Sequence, residues 1–147
     1  MKRARFKVVP ILLILAIAGA GPAWTQADGE LTRMLIESYD LLQAGKLDQA
    51  QEIFNRVLQQ DPGNPLALNN LGAIMVKEKK YDQALTYMEK ALARAKDYQV
   101  MVNQVCDLEG LCLAFRPAQA VYGNRDLSPL IRLNIDLIKT KLAEEKK

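Results

Sequence analysis

The 147-residue chain has no histidine, only two cysteines, one tryptophan and six prolines. Histidine is the usual general base, proton shuttle and metal ligand at neutral pH, so its absence weighs against an enzyme. Two thiols without an imidazole make an incomplete metal site, and neither a metal nor an organic cofactor is expected. Aromatic residues make up 6% of the chain, and the abundance of Ala and Leu favours helices. No strong excess of one charge is present either. The net charge of +3 comes from 20 basic and 17 acidic residues, but Lys2, Arg3, Arg5 and Lys7 all precede the first apolar run. Without those four, 16 basic groups face 17 acidic ones, a balance of −1. Such a chain offers no electrostatic footprint for nucleic acid.

The N-terminal apolar run, Val8 to Ala20, is 13 residues long. A membrane-spanning helix needs about 20. A basic start, a short apolar stretch, the breakers Gly21 and Pro22, and small residues ending at Ala27 read together as a secretory signal over residues 1–27. Cleavage between Ala27 and Asp28 is expected, which places the mature chain in a periplasm or cell envelope, with secretion also open. Only an uncleaved leader would bring the chain to a membrane.

What is present is a period. Lys46-Leu47-Asp48-Gln49-Ala50 recurs as Lys80-Tyr81-Asp82-Gln83-Ala84, and Leu58 recurs as Leu92, each displaced by 34 residues. That spacing marks a helix–turn–helix repeat. A helix from Asp28 or Thr32 to Ala44 is stopped by Gly45, which tolerates the left-handed conformation. A second spans about 47–60, with Ala50, Ile53, Phe54, Val57 and Leu58 on one face. Asp61-Pro62-Gly63-Asn64 ends it, and Asn64 with Pro65 opens a third to about Lys77. A fourth runs from Tyr81 to Ala95, burying Ala84, Leu85, Tyr87, Met88, Ala91 and Leu92. Short connections make the neighbours antiparallel.

This segment resembles the tetratricopeptide repeat family. The family's preferred positions hold Met34, Glu37, Ser38, Leu41, Ala50, Phe54, Val57 and Pro62 in one copy. In the next they hold Leu68, Leu71, Gly72, Met75, Ala84, Met88, Ala91 and Lys96. Glu37 and Lys96 depart from the pattern. The resemblance implies an all-α fold of antiparallel helix pairs in a right-handed superhelix, with two repeats at 31–64 and 65–98. It also implies a concave groove, lined by Thr32, Leu35, Tyr39, Leu42, Leu66, Asn69, Ala73 and Val76, that receives a protein or peptide partner. One subgroup of the family grips acidic tails through a Lys/Asn/Arg clamp, and only Asn70 fits it here. The mostly apolar lining points instead to a helix or hydrophobic peptide. Two repeats fall short of the three usually needed for stability, so the later chain is an equal candidate for filling the groove. Tyr39→Ala and Asn69→Ala are expected to spare folding and weaken partner capture, and unchanged capture would mean that the chain's own tail occupies the groove.

After Lys96 the period fails. Residues 99–126 read as an irregular segment with a β-hairpin. The β-branched residues around Val102 and Val105 favour a strand, Leu113 to Phe115 extend a second, and Arg116-Pro117 ends it. A three-residue loop at Leu108-Glu109-Gly110 would set Cys106 opposite Cys112, within disulfide reach. Asp107 and Glu109 between them disfavour a reactive thiolate. A capping helix over 127–147 opens at Ser128-Pro129 and carries two apolar stripes, Leu130, Leu133, Leu137 and Ile131, Ile135, Ile138, Leu142. It would cover the open end of the repeats or form a dimer seam.

The leading functional expectation is a non-catalytic, exported interaction module: a scaffold or assembly factor binding a protein, a peptide or a second copy of itself. An exported thiol–disulfide protein using Cys106 and Cys112 is the second reading. A membrane-tethered subunit of an envelope complex is the third.

Overall fold

The computed structural model describes residues 23–96, 98, 102–105, 113–117 and 126–146. Among the described residues, five helices and two strands follow in order: α1 Ala23–Gln43, α2 Leu47–Gln60, α3 Pro65–Lys77, α4 Tyr81–Ala95, β1 Val102–Val105, β2 Ala114–Pro117 and α5 Ser128–Glu145. Among the described residues, no helix is long and apolar enough to cross a membrane.

Helices α2, α3 and α4 have the bounds that the sequence predicts, because each has a local stop signal. Gly45 adopts φ 74°, and its N–H and that of Lys46 turn back to the carbonyls of Leu42 and Leu41. This double bond closes a helix C-terminus around a left-handed residue. Thirty-four residues on, Lys79 and Lys80 repeat the geometry, bonding Val76 and Met75, with Lys79 at φ 59°. The repeat therefore copies a backbone conformation onto a residue that pays a steric cost for it. Between the two copies, the Asn64 side chain accepts the Ala67 N–H at 3.1 Å, ahead of Pro65 in the first turn of α3.

Helix α1 packs on α2, α2 on α3, α3 on α4, and α4 on α5. Small residues set the spacing between partners. Gly72 lies where an added Cβ would sit 2.9 Å from Met88 Cγ and 3.2 Å from the Ala84 carbonyl oxygen. The Ser38 hydroxyl is buried and satisfied within its own helix, donating to the Met34 and Leu35 carbonyls. One apolar core runs from Met34 on α1 through Phe54, Leu71 and Met88 to Phe115 and Ile138.

Four expectations need correction. Helix α1 starts at Ala23 rather than at Asp28 or Thr32, so it passes through the expected Ala27–Asp28 cleavage position. The hairpin pairs Val105 with Ala114, where a Cys106–Cys112 alignment would pair Val105 with Leu113. Cys106 and Cys112 themselves lie outside the described residues, as do the residues of the leader before Ala23 and the turn at Gly123-Asn124. At α5, Leu127 rather than Ser128 holds the N-cap position, and Asp126 Oδ1, just before it, accepts the Ser128 N–H at 2.8 Å. Only one of the two α5 stripes is buried: Ile131, Ile135 and Ile138 are covered, Leu130 and Leu137 are partly buried, and Leu133 is 50% exposed.

Candidate functional site: a concave face filled by the chain's own strand

The groove expected between α1 and α3 is occupied. Strand β2 lies against both helices, while β1 pairs with β2 along its other edge. Leu35, Tyr39, Leu42, Leu66, Asn69, Ala73 and Val76 are all buried, and Thr32 is partly so. The residues assigned to a partner-binding groove are thus brought onto one face, and that face is closed by residues 113–117. Tyr39→Ala and Asn69→Ala would therefore remove groups packed inside the chain rather than groups lining an open groove. Tyr39 is 2% exposed and Asn69 is fully buried among the chain's own atoms.

Three asparagines hold the strand. Asn70 Oδ1 accepts the Phe115 N–H at 2.8 Å, and Asn70 Nδ2 donates to the Phe115 carbonyl at 2.8 Å. Asn69 Nδ2 donates to the Leu113 carbonyl at 2.6 Å and more weakly to Asn70 Oδ1 at 3.3 Å. Asn134, from α5, donates through Nδ2 to that same Leu113 carbonyl and to Asn69 Oδ1, both at 3.0 Å. The amide orientations follow from chemistry. A backbone carbonyl can only accept and a backbone N–H can only donate, so each facing side-chain atom is fixed.

This arrangement solves a specific problem. In an antiparallel ladder a residue turns its own N–H and C=O to the same side. Phe115 turns both toward Asn70, so they point away from β1. Left unpaired in a buried site, each would cost about 1–3 kcal/mol. The Asn70 carboxamide has the donor and acceptor of a peptide group, and it stands where a third strand would stand. Side chains contribute the remaining hold. Leu113 and Phe115 are fully buried, each burial worth about 1.5–3 kcal/mol.

At the rim, Arg116 forks onto Asp40 of α1, Nε to Oδ1 at 3.0 Å and Nη2 to Oδ2 at 3.4 Å. The Arg116 pKa is raised, first by the hydrogen bond to Asp40, but the pair is exposed and contributes under about 1 kcal/mol. One polar atom of the cluster is unmatched: Asn134 Oδ1 is buried with no hydrogen-bond partner among the described residues.

The expected groove residues of α1 and α3, with Asn70 beside them, are legible in the sequence, whereas the places of Leu113, Phe115 and Asn134 against them are not. One signal was available. Asn134 interrupts the apolar set Ile131, Ile135, Ile138 on the buried face of α5, and an amide in such a place requires a polar partner. Two surface hollows lie away from the concave face. One is lined by residues that include Lys79, Tyr81, Leu142 and Lys146, the other by residues that include Glu89, Arg132, Asp136 and Lys139.

Residues 41–102 match the family model described as tetratricopeptide repeat. Together with the paired antiparallel helices, this identifies the helical segment over 41–102 as similar to tetratricopeptide repeats. Repeats of this family generally mediate protein–protein interaction or scaffolding. No curated protein and no solved structure matches the chain.

Proposed function

We propose that the chain is a non-catalytic interaction module, a scaffold or assembly factor exported to the periplasm or cell envelope, with a protein or peptide as its partner. One observation carries this reading. The concave face of the repeats engages an extended backbone, taking both the N–H and the C=O of one residue through Asn70 and a second carbonyl through Asn69 and Asn134. A face built this way recognises peptide backbone. Its present occupant is the chain's own strand, so access by a partner is regulated or uses the surfaces left exposed.

Export is supported by the basic, then apolar, leader ahead of Ala27. The test combines two measurements on cells producing the full chain. Mass spectrometry of the envelope fraction should find an N-terminus at Asp28, and crosslinking through surface lysines such as Lys46 and Lys90 should join the repeats to a reproducible partner peptide. A chain found intact from Met1 in the cytoplasm would contradict export. The absence of any crosslinked partner would contradict the interaction reading.

A further inference from the structure

We propose that strand β2 and helix α5 form a single latch over the concave face, released together when a partner presents an extended backbone to Asn70. The proposal rests on the interaction-module reading and adds how that site is regulated and what kind of segment it takes.

The β1–β2 pair meets the helices through one strand. Its main contacts with the rest of the described molecule are made by β2, on α1 and α3. Helix α5 has its main packing elsewhere, on α4. The two meet at Asn134. Its Nδ2 bonds at once to the Leu113 carbonyl of the strand segment and to Asn69 of the groove floor. All three asparagines are fully buried. If the strand leaves, Asn70 loses both bonds to Phe115 and keeps only the weak one from Asn69, and Asn69 and Asn134 lose the Leu113 carbonyl. Buried amides without partners are expensive, and they regain partners only when water enters. Asn134 bonds both Asn69 and the Leu113 carbonyl from α5, so a displacement of α5 also breaks those two bonds. Strand departure and α5 departure therefore favour each other, which is a coupling free energy between the groove and the end of the repeat stack. The closed state is already incomplete at this junction, since Asn134 Oδ1 is buried without a partner among the described residues. The strand's charged tie, Asp40–Arg116, lies at the exposed rim, where opening can begin.

The bound strand also specifies its competitor. The competitor must be extended, must present one residue's N–H and C=O to Asn70, and must offer the carbonyl two residues earlier to Asn69 and Asn134. Leu113 and Phe115 occupy those two positions, so apolar side chains are required at both, with a basic residue following to meet Asp40. The chemistry is that of an apolar–small–apolar–basic peptide.

Amide hydrogen exchange of the full chain, followed by mass spectrometry, tests the coupling in two variants. Arg116→Glu loosens the rim without touching the core, and Asn70→Ser weakens the backbone clamp. In Arg116→Glu, exchange over 113–117 should rise about fivefold, the scale an exposed ion pair carries. Exchange over 131–138 should rise by the same factor while that of α2 stays unchanged. Asn70→Ser should raise both segments further and again equally. A strand that loosens while α5 does not, or exchange over 113–117 that neither variant alters, overturns the latch. Exchange that depends on protein concentration, with dimer in solution, overturns it too, because the strand would then sit in a second copy's groove. Coupled opening without any crosslinked partner would leave the β2–α5 coupling standing but overturn partner-driven release along with the interaction reading, whereas uncoupled opening with a crosslinked partner would overturn the latch alone, so the two failures are distinguishable.

Discussion

Asn70 and Phe115 exchange two hydrogen bonds of 2.8 Å, side-chain amide to backbone, across 45 residues of sequence. The contact joins the floor of a repeat helix to the strand that closes it. Two helix pairs leave one apolar face uncovered, and a repeat array of this length requires its neighbours or its own tail to cover it. Here the tail covers it, and Asn70 makes an extended strand acceptable on a helical surface by matching the strand's unpaired edge.

Replacing Asn70 with Ala should therefore cost more than one ordinary hydrogen bond. It strands the Phe115 N–H and C=O in a buried site, and about 2–4 kcal/mol of stability should be lost. Urea unfolding of the full chain measures this. A loss under about 0.5 kcal/mol, the usual bound for a surface change, would show that the strand edge finds water.

Lys79 should be improvable. It holds φ 59°, the conformation that Gly45 holds at φ 74° one repeat earlier. Left-handed backbone costs a non-glycine residue about 1–2 kcal/mol, offset in part by the greater chain entropy of unfolded glycine. Lys79→Gly should gain about 0.5–1 kcal/mol and raise the melting temperature, whereas Gly45→Ala should lower it by a comparable amount. A fall in melting temperature for Lys79→Gly would contradict the assigned conformation.

Gly72 presents the opposite balance. Alanine favours helix over glycine by about 1 kcal/mol. Against that, its Cβ would press on Met88 Cγ at 2.9 Å and on backbone at Ala84. Overpacking of this kind costs about 1–3 kcal/mol, so Gly72→Ala should be neutral to destabilising by about 2 kcal/mol. Ala50 and Ala84 are buried at equivalent places, and leucine at either should destabilise by about 1–3 kcal/mol with no propensity gain to offset it. Thermal unfolding ranks the three.

Asp126 gives α5 a pH dependence. Ser128 holds the carboxyl below its ordinary pKa, chiefly through its side chain and then through its backbone N–H. A depressed carboxyl stabilises the fold above the unfolded carboxylate range, and that contribution disappears as the pH falls through the folded pKa. Acidification should fray the first turn of α5, seen as a shift of the Ser128 amide resonance. Asp126→Asn should remove that titration.

The helical half of the fold is legible because each element carries its own punctuation. Gly45 closes α1, Asn64-Pro65 opens α3, and the apolar spacing on α2 and α4 marks the inward faces. These are local signals, and local physics fixed the bounds of α2, α3 and α4. The start of α1 is different. Residues 23–27 carry no strong cap or stop, and the helix continues past the point where small residues suggest processing. The closed groove is not written locally at all. Leu113 and Phe115 look like ordinary strand residues, and their destination depends on a contact with α3 more than 40 positions away. The hairpin register slips by one from the expected alignment. The Val105–Ala114 register accompanies the bond from the Phe115 N–H to Asn70.

The central claim, that the concave face is filled by the chain's own strand through Asn70, is tested most directly by nuclear Overhauser contacts in the full chain. The account predicts contacts from the Phe115 amide proton to the Asn70 side chain, and from Leu113 to Asn134 on α5. Phe115 resonances at random-coil positions, without contact to either α3 or α5, would contradict it.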